Sequence, residues 1–193
     1  MAQRDKHLAS ILASYGHPPL WRRPAGFPTL VRIILEQQVS LRSAASMFAR
    51  LTASIDPFVP ERFIQLGDSH LRSLGVTRQK AAYLLHLSTS IAEGELKLAQ
   101  LNRMSDAEAK MTLMNIKGIG SWSADVYLLM ALRRADVWPA GDLALAVAVM
   151  ELKGLDVRPG TEALERLAEN WRPHRAVAAR MLWQYYLRPK DKK

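Results

Sequence analysis

The sequence feature that most constrains this chain is a glycine-containing turn between two helical segments. Residues 113–125 read Leu-Met-Asn-Ile-Lys-Gly-Ile-Gly-Ser-Trp-Ser-Ala-Asp, and apolar residues at helical spacing lie on both sides of Gly118 and Gly120. Glycine reaches backbone angles that other residues avoid, and its missing side chain lets a ligand approach the backbone closely. We therefore predict a helix-hairpin-helix whose second helix begins at Ser121.

The charge of the chain points to a class of partner for this hairpin. Lys and Arg number 27 against 18 Asp and Glu, a formal net charge of +9. This balance suits a polyanion, nucleic acid first, although a basic protein without such a partner has the same composition. The amides and the positive dipole end at the start of the second helix suit a phosphate. The residues predicted to contact DNA here are Lys117, Gly118, Ile119, Gly120 and Ser121.

One acidic residue stands out downstream of the hairpin. Asp142 lies 20 residues after Trp122, beyond a helix long enough to cross a domain and the short loop Pro139-Ala140-Gly141. A carboxylate at this place could face whatever the hairpin holds. Asp142 could also cap the helix that follows it, and the two roles are compatible because a helix N-terminus favours negative charge.

Composition limits the fold and the chemistry. The 193 residues, 49% of them hydrophobic, can form one sizeable core or two small lobes that share a cleft. No segment shows sustained period-two alternation, so we predict an all-α fold. Because the chain has no cysteine, disulfides, thiol catalysis and cysteine-ligated zinc or iron–sulfur clusters are excluded. We find no apolar run of about 20 residues and no signal-peptide pattern, so no membrane segment is expected.

Capping residues and apolar spacing predict the other helices. The first covers 5–15, the second begins near 28, and Ser40 caps the third. Gln37 and Gln38 therefore lie at a helix–helix junction, with Leu41 just beyond it. The glutamines either satisfy buried backbone groups or face a ligand, and the sequence leaves both interpretations open. Further helix starts are predicted at Thr77, at Ser105 in a capping box with Glu108, and at Asp142, Thr161 and Pro173.

Together these motifs resemble the helix-hairpin-helix DNA glycosylases, and among them the 3-methyladenine DNA glycosylase II group, over about residues 30–187. The Gly-Ile-Gly hairpin alone is moderately specific, since non-catalytic DNA-binding proteins carry it too. The hairpin followed at this interval by Pro139-x-x-Asp142-Leu143 is much more specific, and Gln37-Gln38-Val39-Ser40 adds to it. Residues 75–81 also resemble the family's Gly-x-x-x-x-Lys-Ala element, in which we expect basic residues to be structural or to steer the DNA backbone.

The resemblance implies an architecture and a way of binding DNA. One glycosylase domain over 1–193 would have two helical lobes with a cleft between them, a central lobe of about 28–132 and a second lobe from 1–27 plus 133–193. The junction of Gln37 and Gln38 would face the DNA, and Leu41 would enter the duplex as a wedge. A monovalent cation, Na or K, would bridge the hairpin to a phosphate without taking part in bond cleavage. By position its ligands would be the main-chain carbonyls of Met114, Ile116 and Ile119.

The resemblance also implies that Asp142 is catalytic. Hydrolysis of an N-glycosidic bond develops positive charge on the sugar, which a carboxylate can stabilise while it orients or deprotonates a water. The nucleotide must first leave the base stack. Trp122 and Trp183 match family positions that hold an electron-poor alkylated purine against aromatic faces, although either could instead be core. Val126 stands where the family can have a tyrosine, which leaves the breadth of lesion recognition open.

The family's bifunctional members carry a Schiff-base lysine two residues after the second hairpin glycine, where this chain has Trp122, which cannot form an imine. We therefore predict a monofunctional glycosylase that removes alkylated purines such as 3-methyladenine in base excision repair, without AP-lyase activity and without a catalytic cofactor. The alternatives are a non-catalytic DNA-binding module, a glycosylase of different lesion specificity, and a bifunctional lyase. The expected partner is double-stranded DNA with a damaged base. The expected protein is a monomer in the cytoplasm, on the nucleoid, or in the nucleus of a eukaryote.

Overall fold

The computed structural model describes residues 5–189, and these form helices joined by loops, with no strand among them. The predicted all-α class is confirmed. Two short 3-10 helices cover Leu98–Arg103 and Glu169–Trp171. None of the helices in the described range is long and apolar enough to cross a bilayer. The α-helices are α1 (Lys6–Tyr15), α2 (Phe27–Glu36), α3 (Leu41–Ser54), α4 (Pro60–Ser73), α5 (Arg78–Ala92), α6 (Asp106–Met114), α7 (Ser121–Met130), α8 (Leu143–Lys153), α9 (Thr161–Ala168) and α10 (Arg175–Tyr186).

Side-chain caps begin several of these helices where the sequence predicts them. In five of them a side-chain oxygen at the N-cap accepts a hydrogen bond from a first-turn backbone amide, and these caps are Asp5 at α1, Ser40 at α3, Thr77 at α5, Ser105 at α6 and Asp142 at α8. Ser105 and Glu108 form the predicted capping box at α6. Such caps satisfy amides that have no partner inside the helix, so they fix where a helix begins.

The backbone divides into two compact units. One is Arg23–Leu132, which contains α2 to α7, and the other is built from both ends of the chain and contains α1 and α8 to α10. The sequence places the start of the central lobe at about 28, whereas the observed unit begins at Arg23. The cleft stays a prediction.

Within the unit Arg23–Leu132, the second hairpin helix is buried along most of its length. Every residue of α7 from Ser123 to Leu129 is buried. A helix covered on all sides lies in the core. Its buried Asp125 accepts a hydrogen bond from Lys110 on α6 at 2.8 Å, which satisfies the charge. The hairpin is therefore attached to the core of its unit through α7.

Candidate DNA-binding and catalytic site

Gly118 is the residue that makes the hairpin turn possible. Its φ is +93°, in the region that favours glycine. A Cβ at this position would lie 2.2 Å from Cγ of Tyr83 on α5. The turn is closed by the amide of Ile119, which donates to the carbonyl of Ile116 at 2.9 Å. Both the backbone angle and the packing of Tyr83 therefore require glycine here.

Gly120 differs from Gly118 in its backbone conformation. Gly120 has φ −89° and ψ −179°, which any residue adopts. A Cβ there would meet nothing within 4 Å. Lys117, Gly120 and Ser121 are all exposed, so the predicted phosphate-binding corner lies at the surface of its unit. Gly120 thus leaves open space in front of the hairpin and is not needed for the fold of the turn.

Ile119, which is predicted to contact DNA, has both its side chain and its amide engaged within the protein. The side chain is 3% exposed, and the amide is already bonded to Ile116. Only its carbonyl is left for the predicted cation. No group of three His, Cys, Asp or Glu side chains that could hold a metal occurs in residues 5–189. Neutral carbonyls suit a hard cation, and the carbonyl of Ile116 has a second lone pair, so the predicted ligand set fits Na or K.

Gln37 and Gln38, the two glutamines predicted to contact DNA, have different environments at the helix junction. The Gln37 side-chain nitrogen donates to the carbonyl of Gly118 and to Oγ of Ser123, both at 2.8 Å. An amide nitrogen has two N–H donors, and both are used here. The interpretation that the glutamine satisfies hairpin backbone therefore holds for Gln37, whose amide donors are both engaged within the protein, and its predicted DNA contact stays a prediction. Gln38 is exposed and has φ +56°.

Leu41 is an exposed apolar residue at the start of α3. Its side chain is 61% exposed, although Ala44, three residues later on the same helix, is buried. The side chain of Ser40 caps this helix through the amide of Ser43. Leu41 is therefore held on a capped helix end without being part of the core, as a wedge residue requires.

Asp142 is buried and hydrogen-bonded in the unit built from both chain ends. It is 8% exposed, and its Oδ1 accepts the amide of Leu145 at 3.0 Å and the indole N–H of Trp183 at 3.1 Å. The first bond is the helix cap, and the second comes from α10. Asp142 is thus both a cap and a carboxylate in contact with the predicted pocket residue Trp183, which is itself 8% exposed.

Trp21 lies beside Trp183, and no motif in the sequence predicts this contact. Its ring meets that of Trp183 edge-on, with centroids 6.3 Å apart and an interplanar angle of 77°. Trp21 has φ +43°, a strained conformation for a large side chain. The neighbouring carbonyl of Leu20 accepts a hydrogen bond from Nε of Arg180 at 3.1 Å. The only sequence signal was one tryptophan followed by two arginines, which also fits a solvated linker.

Arg180 is a buried cation that holds the loop of Leu20 and Trp21 through a hydrogen bond. The side chain is nearly covered, and burial lowers the pKa of its guanidinium. A buried cation needs hydrogen-bond acceptors, and the Leu20 carbonyl is one of them.

In the other unit, Trp122 lies half-buried in the first turn of α7, next to the fully buried Ser123.

A comparison with protein families identifies the class of protein. The model described as "HhH-GPD superfamily base excision DNA repair protein" matches residues 31–173. This match covers most of the chain and includes both the hairpin and Asp142. The chain belongs to this superfamily.

Individual relatives and solved structures agree with that assignment. The alkylbase DNA glycosidase-like protein mag2 of Schizosaccharomyces pombe is 27% identical, over 93% of this chain and 91% of the relative. The structure of the 3-methyladenine DNA glycosylase Mag1 from the same yeast, in complex with abasic DNA, gives a TM-score of 0.84 at 25% identity and covers 94% of this chain and 90% of that one. The DNA-3-methyladenine glycosidase of Bacillus halodurans gives 0.79 at 28% identity, over 96% and 87%. The chain spans 64% of the length of a Bacillus subtilis relative that is 27% identical.

Proposed function

We propose that this chain is a monofunctional DNA glycosylase that removes alkylated purines such as 3-methyladenine from double-stranded DNA, acting as a monomer on the nucleoid or in a nucleus. Membership of a base excision repair superfamily supports this proposal. The names of the related proteins support the lesion class. The observation that carries the chemistry is the buried Asp142, held by Leu145 and Trp183.

The contacts of Asp142 suit it to stabilise positive charge on a sugar. Two donors fix Oδ1, so the carboxylate is oriented before the reaction and needs little reorganisation when charge develops. In the proposed step, water attacks C1′ of the deoxyribose, the N-glycosidic bond breaks and the base leaves with the bonding electrons. Asp142 stabilises the cationic sugar and orients or deprotonates the water. A fixed anion is the group that this step needs from the protein.

Trp122 supports the absence of lyase chemistry. Strand cleavage by a bifunctional glycosylase needs an amine that forms an imine with the opened sugar. The position that would carry this lysine is Trp122, in the first turn of α7. We also propose that the main-chain carbonyls of Met114, Ile116 and Ile119 would hold a monovalent cation, which would anchor DNA phosphate and take no part in bond cleavage.

One assay tests this function against its rivals. The full chain is incubated with a duplex that carries a single labelled 3-methyladenine or hypoxanthine, and strand breakage is scored before and after alkali. Release of base with breakage only after alkali is expected. No release, with retained duplex binding, would indicate a non-catalytic DNA-binding module. Breakage without alkali would indicate a lyase.

Leu41→Ala is expected to lower excision from matched duplex DNA by about tenfold, equivalent to about 1.4 kcal/mol of unstacking cost no longer offset. Excision of the same lesion opposite a mismatch or a gap should fall less, because extrusion there is easier. The melting temperature should barely change, since Leu41 is exposed. Single-turnover kinetics on the substrates and a thermal melt measure these effects.

Leu51→Ala is the matched control, because Leu51 lies on the same helix but is fully buried. It should cost about 2–5 kcal/mol of stability and affect all substrates alike. A similar loss of stability in Leu41→Ala would place Leu41 in the core and overturn its role as a wedge.

Trp21→Leu is expected to reduce the excision of cationic lesions more than that of neutral hypoxanthine. The reason is that Trp21 contacts Trp183, the partner of Asp142, and an aromatic face binds a cation by about 0.5–2 kcal/mol, or roughly 2- to 30-fold. The comparison is kcat/KM for 3-methyladenine against hypoxanthine. Tyr15→Leu is the control, since Tyr15 meets Tyr185 on α10 at the same 6.3 Å in a similar edge-on contact. Equal losses on both lesions in Trp21→Leu would argue against selectivity.

A further inference from the structure

Lys80 is a buried cation that the proposed chemistry does not use. It lies on α5 and is 8% exposed, and its Nζ donates to the carbonyl of Leu35 at 2.7 Å and to that of Gln37 at 2.8 Å. Burial lowers the pKa of this ammonium. Burying a charged ammonium costs free energy, and this cost is offset where the ammonium donates to carbonyls that have no other hydrogen-bond partner.

The two carbonyls belong to the C-terminal end of α2. The last carbonyls of a helix have no partner within it, and a cation is favoured at this end of the helix dipole. Gln37 is the residue that ends α2, and Gln38 after it takes the left-handed φ of +56°. Lys80 therefore holds the backbone immediately before the residue at which the chain turns towards Leu41.

Gln37 joins the same point to the hairpin. Its backbone carbonyl is held by Lys80, while its side chain donates to Gly118 and Ser123. One residue thus connects α5, the α2–α3 junction and the α6–α7 hairpin, all within the unit Arg23–Leu132. Two exposed residues lie close to this connection along the chain, because Leu41 follows Gln37 by four residues and Lys117 precedes Gly118.

We propose that Lys80 is a positioning residue that presets the Leu41 wedge against the hairpin before DNA binds, an inference that rests on the proposed function. Because the junction is already ordered before DNA binds, insertion of the wedge does not incur the loss of conformational entropy that ordering the junction would cost. Lys80 acts through Leu41 and touches neither substrate nor reacting atoms. A purely structural lysine would change stability and would affect every substrate equally.

A double-mutant cycle between Lys80→Met and Leu41→Ala tests the coupling. Met keeps the length of the side chain and removes the donors. Below the unfolding temperature, Lys80→Met should lower single-turnover excision from matched duplex by about tenfold, and much less opposite a mismatch or gap. In the Leu41→Ala background the same change should cost less than about twofold, since residues that act as a unit are not additive. Independent, multiplying losses would overturn the proposal.

The control separates positioning from general destabilisation. Phe63→Leu alters a fully buried ring on α4 in the same unit, so it should lower the melting temperature, leave the ratio of matched to mismatched excision unchanged and multiply with Leu41→Ala. If Lys80→Met does not fold, Lys80→Gln, which keeps two N–H donors, is measured in the same cycle. Behaviour of either Lys80 variant like Phe63→Leu would make Lys80 structural only.

A second readout keeps this inference separate from the proposed activity. Fluorescence of 2-aminopurine placed beside an abasic-site analogue in the duplex reports unstacking without any bond cleavage. Coupling of Lys80 and Leu41 in this signal, in a protein that releases no base, would retain the positioning role and reject the glycosylase. Base release without coupling in either readout would retain the glycosylase and reject the positioning role of Lys80.

Discussion

Asp142→Asn is expected to lower single-turnover base excision by roughly 100- to 1000-fold, the usual loss when one electrostatic group that stabilises a transition state is removed. The asparagine oxygen can still accept the Leu145 amide and the Trp183 indole, so shape and cap are retained. Asn and Asp are about equally good at a helix N-terminus, so the melting temperature and the affinity for duplex DNA should change little. Rapid-quench kinetics, a thermal melt and a binding titration measure the three quantities.

A second substitution at the same position separates catalysis from capping. Asp142→Ala removes the anion and the cap together, so it should lose excision to a similar extent and also about 0.5–2 kcal/mol of stability. If Asp142→Asn excises bases at nearly the wild-type rate, the catalytic assignment fails, whatever Asp142→Ala does. If both variants lose activity only in proportion to stability, Asp142 is a cap alone.

Gly118→Ala is expected to destabilise the protein by about 2–5 kcal/mol, the sum of left-handed strain of roughly 1–2 kcal/mol and overpacking of roughly 1–3 kcal/mol. The added Cβ would lie 2.2 Å from Cγ and 2.7 Å from Cβ of Tyr83. Atoms so near the backbone of α5 cannot move aside as the end of a flexible side chain could. Urea denaturation of the two proteins measures the difference in unfolding free energy.

Gly120→Ala is the matched comparison, two residues away in the same hairpin. Its backbone angles suit alanine and its Cβ meets no protein atom within 4 Å, so stability should be retained. Affinity for duplex DNA should fall about equally with and without a lesion, because a hairpin contact is made with phosphate. Loss of affinity for damaged DNA alone would mean that the hairpin lines the base pocket. Unchanged stability in Gly118→Ala would contradict the role given to Tyr83.

The helix starts could be predicted because their signals are local. The caps at Ser40 and Ser105 each bond an amide three residues away, so residue type and spacing suffice to locate them. Asp142 was found for the same reason, as an acidic residue before a helical segment, and its resemblance to a family position added the chemistry. The extra helix at Leu98–Arg103 was missed because a short 3-10 segment has no apolar periodicity to reveal it.

By itself, the sequence determined the all-α class, the hairpin, the junction before Leu41 and the candidate acid Asp142. Tertiary structure alone decided what these residues contact. Gln37 bonds Gly118 and Ser123 across 81 and 86 residues, and Lys80 reaches back 43 residues to Gln37. The φ of +93° and the packing of Tyr83 show why glycine is required at 118, and the ring of Trp183 gives Trp21 a neighbour that also contacts Asp142. Periodicity and capping report interactions within about one helical turn, whereas these contacts depend on which helices pack together, and no local spacing encodes that.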